Sequence, residues 1–358
     1  MNSNFYAIIM AGGIGSRFWP FSRTNYPKQF HDVLGTGKSL LQQTAERFFT
    51  VCPKENIFIV TNKSYSGLVK EQLPFLNDHQ ILGEPIGRNT APCIAYACYK
   101  IKQNNPNAVV VVAPSDHVIT KTDDFITTIT YGLEKAAESD ILITLGIKPS
   151  RPDTGYGYIQ YFENAGEQLK QVKTFTEKPA LELAKKFLES GDFVWNAGIF
   201  IWNVKTIARN FQQHVPEMAE TFEEGSNLYW SESEDSFIST AYSQCKNISI
   251  DYAIMEKSDD VFVLLSDFGW SDLGTWKSLY DISPKDENEN VLTGNIITSD
   301  SKNCIIKTPK DKLVVVHGLD NFIVAEYDGV LMICQKDDEQ KVKEFVAQVK
   351  ATKDEKFI

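Results

Sequence analysis

Directly after the apolar run Tyr6–Ala11 the chain reads Ala11-Gly12-Gly13-Ile14-Gly15-Ser16-Arg17. Glycines at such a place let backbone N–H groups reach a ligand that a Cβ would hold off. Successive N–H groups in one turn form an anion nest, which suits phosphates. Arg17, Arg23 and Lys28 then add three cations. Pro20 and Pro27 prevent a continuous helix between Arg17 and Lys28, because each breaks the i→i−4 pattern. The segment therefore reads as a long, shaped loop built for an anion. Asp116 stands just past a second apolar run, Ala108–Ala113. That places it at the carboxyl end of a strand, where open α/β sheets bind their ligands.

Two familiar phosphate motifs come close and fail. A dinucleotide fingerprint needs GxGxxG opening a helix, and here Phe18 takes the third glycine's place. That disfavours a nicotinamide-dependent dehydrogenase. A P-loop needs GxxxxGK[ST]; Gly37-Lys38-Ser39 supplies the end, but Asp32 occupies the first glycine position and no strand precedes it.

These residues need a scaffold, and the first 150 positions alternate strand and helix signals. Apolar runs at Tyr6–Ala11, Ile57–Asn62, Ala108–Ala113 and Ile141–Gly146 read as strands of a parallel sheet covered on both faces. Helical periodicity falls between them at Ser39–Phe49, Ser64–Phe75, Ala91–Gln103 and Asp124–Ser139, and Ser39-Leu40-Leu41-Gln42 is a capping box. Right-handed crossovers then give an α/β class with an open, doubly wound sheet. Past Pro149, strands at Tyr158–Phe162, Val172–Phe175 and Gly198–Trp202 alternate with helices near Leu181–Ser190, Thr206–Phe211 and Asp251–Lys257, extending the sheet into a substrate lobe. The acidic, asparagine-rich stretch Ser283–Asn290 reads as a linker. Short strands follow at Gly294–Thr298, Cys304–Lys307, Leu313–His317, Asn321–Glu326 and Val330–Gln335, a small β module that a helix near Asp338–Lys350 closes. The expected division is 1–285 and 286–358.

Composition narrows the function classes. The 358 residues are 42% hydrophobic and 23% charged, which excludes disorder as the main state. Lys and Arg total 36 against 47 Asp and Glu, a net charge of −11. Proteins that bind nucleic acid neutralise phosphates with a basic surface, so that partner is set aside, while a local pocket for one small anion is not. No apolar run approaches the roughly 18–20 residues that span a bilayer. The N-terminus lacks the basic start of a secretory signal. Six scattered cysteines with no CxxC pair read as reduced core residues of a cytoplasmic protein, not a disulfide frame or a zinc site.

The loop from Gly12 to Arg23, with Pro27-Lys28-Gln29-Phe30, resembles the signature of the sugar-nucleotide pyrophosphorylases. Its Trp19-Pro20-Phe21-Ser22-Arg23 and Pro-Lys-Gln-Phe pieces are similar to the mannose-1-phosphate guanylyltransferase family among them. The likeness runs on in order through Glu84-Pro85-Ile86-Gly87-Arg88-Asn89-Thr90-Ala91-Pro92, Pro114-Ser115-Asp116-His117 and Thr154-Gly155-Tyr156-Gly157-Tyr158-Ile159. It ends through Phe175-Thr176-Glu177-Lys178-Pro179, Trp195-Asn196-Ala197-Gly198 and Trp270-Ser271-Asp272-Leu273-Gly274-Thr275-Trp276. The resemblance implies a Rossmann-like nucleotidyltransferase domain with a mostly parallel mixed sheet, then a left-handed β-helix-like module. Long members add a cupin domain with isomerase activity, for which this chain is expected to be too short.

The implied reaction is Mg²⁺-assisted, in-line attack by mannose 1-phosphate on the α-phosphorus of GTP, giving GDP-mannose and diphosphate. Within it the resemblance gives Arg17 and Lys28 the triphosphate, Asp116 and Asp272 the metal, and Lys178 the sugar phosphate. Glu177, Asn196 and the Gly157 backbone would contact the sugar. Gly13, Gly15 and Ser16 would add backbone dipoles at the phosphates. Glu84, with Gly87, Asn89 and the Ala11–Gly12 backbone, lies where related enzymes read the base. Other readings keep the fold: a different sugar 1-phosphate, or a catalytically silent sugar-nucleotide-binding regulator. The β module's apolar strands are expected to pack on the main domain or on a second subunit, so a homodimer is among the expectations.

Overall fold

The computed structural model describes residues 2–163 and 167–358. Phe5–Met10 (β1) is buried at all but its last position, as an all-apolar strand must be when both faces are covered. Around it a nine-stranded sheet assembles from Ile57–Asn62 (β2), Ile81–Glu84 (β3), Val109–Pro114 (β4), Leu142–Ile147 (β5), Tyr158–Tyr161 (β6), Leu169–Thr176 (β7), Phe193–Asn203 (β8) and Val261–Ser266 (β9). Their spatial order is β3-β2-β1-β4-β8-β5-β9-β7-β6. Following the pairings, seven strands run one way and only β8 and β7 the other, so the sheet is mixed and mostly parallel. β1 and β4 pair in register from Phe5–Val109 to Met10–Pro114. Their carboxyl ends therefore release Ala11 and Ser115 side by side, and the Ser115 N–H bonds the Met10 carbonyl at 2.9 Å.

Helices cover the sheet. Thr90–Asn104 is buried along most of its length, and Val204–His214 packs Ile207 and Phe211 into the same core as Ile8, Val112 and Trp202. Truncating a fully buried aromatic such as Trp202 would cost about 3–5 kcal/mol. Most of the expected elements are present within a few residues. β3, β9 and the helices Pro216–Glu223 and Glu234–Gln244 were not expected. β3 has four residues and a glycine in the middle, too short for a periodicity to register. The Ser39–Gln42 capping box closes in both directions, Ser39 N–H to Gln42 at 2.9 Å and Gln42 N–H to Ser39 at 3.2 Å.

The compact units do not follow a 285/286 division. One comprises Met1–Gly12, Thr44–Ser115 and Ile119–Trp270; the other Gly13–Gln43, Asp116–Val118 and Ser271–Ile358. The physical reason lies in the second unit's own core. Phe18, Trp19, Val33 and Leu40 of the glycine-loop segment are buried with Trp276, Leu279, Ile305, Ile323 and Val342. In that unit Val291–Thr293, Ile305–Lys307 and Phe322–Tyr327 stack in parallel, as do Asn295–Ser299 and Leu313–His317, the repeat expected of a β-helix. The expected linker is a built turn: Asp286 accepts N–H bonds from Asn288 and Asn290, and buried Asn290 donates to the Ser301 carbonyl at 2.9 Å. All six cysteines are buried and free.

Candidate active site

The residues singled out by sequence gather into three groups, one in the second compact unit and two in the first. In the second unit the glycine loop turns at Gly15, whose φ of 72° is left-handed and whose Cβ, were there one, would lie 2.8 Å from Lys28 Cβ. Only glycine fits there. The turn opens a short 3₁₀ segment, Ser16–Phe18, and the Lys28 N–H returns to the Ile14 carbonyl at 3.3 Å. Lys28 is thereby folded inward, its side chain only 4% exposed. Its ammonium reaches Asp116 Oδ2 at 2.7 Å, the Leu273 carbonyl at 2.9 Å and the Asp272 carbonyl at 3.3 Å. Three donors meet three acceptors, so the lysine pins the segments bearing both acids.

Burial alone would raise the Asp116 carboxyl. The Lys28 ammonium, with His117, outweighs it and holds the group below the usual carboxylate range. Among the described residues no three His, Cys, Asp or Glu side chains form a ready metal cage. Two hard carboxylates are nevertheless the protein share of a Mg²⁺ site that keeps phosphate oxygens and waters, so the donor set fits that ion.

The three loop cations part company. Arg23 is buried and turned away: it donates to the carbonyls of Pro20, Tyr327, Asp328 and Lys356 and to the Asp328 carboxylate. It is a structural tie. Half-buried Arg17 keeps a buried Nε with no hydrogen-bond partner among the described residues. A buried guanidinium donor left unmatched is costly unless a ligand supplies the acceptor.

The first unit holds the other two groups. Glu84, at the end of β3, is 6% exposed, not a surface turn residue. Its Oε1 accepts the Tyr242 hydroxyl at 3.1 Å, and Oε2 lies 3.2 Å from where a Gly12 Cβ would be. Burial pushes its pKa up to about 7, against the lowering effect of Tyr242. Ala11 donates its N–H to the Val60 carbonyl at 2.7 Å and accepts the Thr61 hydroxyl at 2.8 Å. Gly87 and Asn89 are exposed on the following loop, where Asn89 caps the helix Thr90–Asn104 with φ 68° and ψ −169°, a region almost reserved for glycine.

Glu177, Lys178, Gly157 and Asn196 stand together. Lys178 Nζ meets Glu177 Oε1 at 2.6 Å. Burial would lower the Lys178 pKa, but the Glu177 carboxylate holds it above the usual value. Lys178 also adopts a left-handed φ of 48°, as does Leu273 beside Asp272 at 46°; strain of this kind collects at functional turns. A Cβ on Gly157 would lie 2.5 Å from Glu177 Oε2, so a side chain there would displace the Glu177 carboxylate. Asn196 is buried, and its amide donates to Asp251 Oδ1 at 2.9 Å. Asp251 and Tyr242 escaped the sequence reading. The first lies at the start of an expected helix, where an acid needs no further explanation, and the second in a helix that was not expected.

Similarity to known proteins extends over nearly the whole chain. Residues 6–289 match the nucleotidyl transferase family, and residues 294–349 match the MannoseP isomerase/GMP-like beta-helix domain. The mannose-1-phosphate guanylyltransferase of Escherichia coli is 35% identical over 355 residues, covering 97% of this chain and 76% of that protein. Its Klebsiella pneumoniae namesake is 36% identical over 351 residues, covering 96% and 73%. A crystal structure from Thermus thermophilus, described as a mannose-1-phosphate geranyltransferase, superposes with a TM-score of 0.87 at 30% identity, covering 97% of this chain and 99% of that one. The chain belongs to the nucleotidyl transferase family. Enzymes of this family generally use a divalent metal ion. Among the described residues no helix is long and apolar enough to cross a membrane.

Proposed function

We propose that the protein transfers a guanylyl group from GTP to α-D-mannose 1-phosphate, giving GDP-mannose and diphosphate. The observation that carries this reading is the likeness to a mannose-1-phosphate guanylyltransferase along 97% of the chain. The chemistry asks for no general base, because a phosphate monoester is largely ionised at neutral pH, with a second pKa of about 6. What remains is to align the attack, neutralise gathered charge and hold the leaving diphosphate.

We assign Arg17 to the triphosphate, where its fork can span two phosphate oxygens. Lys28 is assigned as a point charge there, while it keeps Asp116 and the Asp272 backbone in place. The N–H groups of Gly13, Gly15 and Ser16 add dipoles. Asp116 and Asp272 would hold Mg²⁺, whose charge, when bound, offsets that of the attacking and leaving phosphate oxygens. Lys178 takes the sugar phosphate, and Glu177 with the Gly157 backbone and Asn196 takes the sugar. Glu84 is assigned to guanine, which offers N1–H and N2–H donors to a carboxylate where adenine has no such pair. Gly87, Asn89 and the Ala11–Gly12 backbone shape that side of the site.

By function we divide the sequence into a nucleotidyltransferase domain over 1–285 and a small β domain over 286–358. The reading places the protein in the cytoplasm, needs neither nucleic acid nor membrane, and leaves a homodimer as the assembly to look for. The test is a diphosphate-release assay over a grid of nucleoside triphosphates and sugar 1-phosphates, with and without Mg²⁺. Turnover peaking at GTP with mannose 1-phosphate and vanishing with a chelator is expected. A peak at another pair, or no turnover beside tight GDP-mannose binding, would refute it.

A further inference from the structure

A carboxylate outside every motif named above stands beside the Glu177–Lys178 turn. Asp251 opens a π-type turn, Asp251–Met255, a rare helical form that recurs at functional sites. Its Oδ1 accepts from Asn196 Nδ2 at 2.9 Å. The orientation of that amide is dictated. The Gly198 N–H, which can only donate, points at Asn196 Oδ1 at 3.1 Å, and the Thr144 hydroxyl adds a second bond at 2.8 Å. The Asn196 NH₂ must therefore face Asp251. Thr144 is fully buried and Asn196 nearly so, whereas Asp251 is half-buried and, among the described residues, no second side chain donates to it. The chain of bonds thus runs from the core outward and ends on a carboxylate.

Asp251 shares its surroundings with Glu177 and Lys178, two acids and one ammonium. Glu177 Oε1 is taken by Lys178. With the Lys178 ammonium assigned to the phosphate, the two carboxylates beside it offer acceptors to the neutral polyol that the phosphate carries. Sugar hydroxyls both donate and accept. Burial first, then the Glu177 charge, pushes the Asp251 pKa up to about 7, so near neutrality the acid pair offers both an acceptor and a donor to neighbouring hydroxyls.

We propose that Asp251 is a sugar-recognition residue, bonded through its carboxylate to a ring hydroxyl of the sugar 1-phosphate, and that Asn196 positions it. The inference rests on reading the Glu177–Lys178 turn as the sugar-phosphate site. Thr144 and the Gly198 N–H complete the support.

The experiment measures KM and kcat for mannose 1-phosphate and for GTP separately, in the wild type, Asp251→Asn, Thr144→Val and Thr144→Ser. Each is also assayed with the monodeoxy mannose 1-phosphates. Asp251→Asn is expected to lower kcat/KM for the sugar roughly 10- to 100-fold, the scale of one charged hydrogen bond, and to leave the GTP KM within about twofold. With one deoxy analogue, the one lacking the hydroxyl that Asp251 holds, that penalty shrinks to a few-fold. Thr144→Val gives a smaller loss in the same direction, and Thr144→Ser restores it. Unchanged sugar kcat/KM in Asp251→Asn, or equal loss for both substrates with no analogue singled out, overturns the proposal. If Asp251→Asn does not fold, the Thr144 pair decides, and an unmoved sugar KM overturns it. A wild-type enzyme that ignored mannose 1-phosphate but used another sugar 1-phosphate would sink the function reading alone; the same ratios measured on that sugar would still decide Asp251.

Discussion

The site residues of the two units are built on opposite electrostatic plans. In the second unit both candidate metal-binding carboxylates meet a cation or a backbone donor: Asp116 is held by Lys28, and Asp272 Oδ1 accepts the Gly274 N–H at 3.1 Å. In the first unit the acids are desolvated, and burial raises both Glu84 and Asp251 to about 7, with the Glu177 charge adding to the rise at Asp251. The contrast follows from what each is assigned to bind. Phosphates and a divalent ion need charges that are fixed and ionised, and Lys28 holds Asp116 below the usual carboxylate range. A base edge and a sugar are neutral, and acceptors near their titration point can recognise them without gathering charge.

The sharpest way to break this contrast is at the two candidate metal-binding acids. Asp116→Asn or Asp272→Asn should lower kcat roughly 100- to 1,000-fold, the scale seen when one preorganised charge-stabilising group is removed. Mg²⁺ affinity measured directly should weaken with it. Activity retained in either variant would dissolve the second unit's group as a metal and phosphate site.

Next comes the pair of arginines. Arg23→Ala should lower stability by about 1–3 kcal/mol, because the carbonyls and the Asp328 carboxylate it ties lose their donors. Its thermal midpoint should fall while the folded fraction keeps its KM for GTP. Arg17→Ala should do the reverse, raising the GTP KM on the order of tenfold at an unmoved midpoint, since no acceptor among the described residues depends on its Nε. Equal effects from both would show that the loop's cations are not divided in this way.

A gentler effect is expected from acid. Glu84 is ionised above about pH 7 and protonated below it, and protonation removes an acceptor that guanine needs. The GTP KM should therefore rise as pH falls from about 8 to about 6, by several-fold, and the rise should disappear in Glu84→Gln. Smallest of all, Tyr242→Phe should move the midpoint of that rise to higher pH, because the hydroxyl bond to Glu84 favours the ionised form.

Much of this was legible in letters because it rests on local chemistry. The glycine turn, the two prolines and the buried run Val109–Pro114 fix where Arg17, Lys28 and Asp116 lie along the chain. What letters could not show was who holds whom. Arg23 and Lys28 look alike in sequence, yet one ties Tyr327 and Asp328 and the other pins Asp116 and Leu273, through contacts between segments far apart in the chain. The burial of Glu84 was not legible because β3 is too short to signal a strand. Asp251 was invisible for a different reason: its significance lies in the amide of Asn196 and the hydroxyl of Thr144, which no spacing rule connects. The split at 285/286 followed composition, whereas the compact units follow aromatic packing around Trp276.

A crystal structure with GDP-mannose bound tests the account most directly. The guanine N1 and N2 edge should lie within hydrogen-bond distance of Glu84, and mannosyl hydroxyls should lie on Glu177 and Asp251. A nucleotide sugar seated away from Glu84 and from the Glu177–Lys178 turn would contradict it.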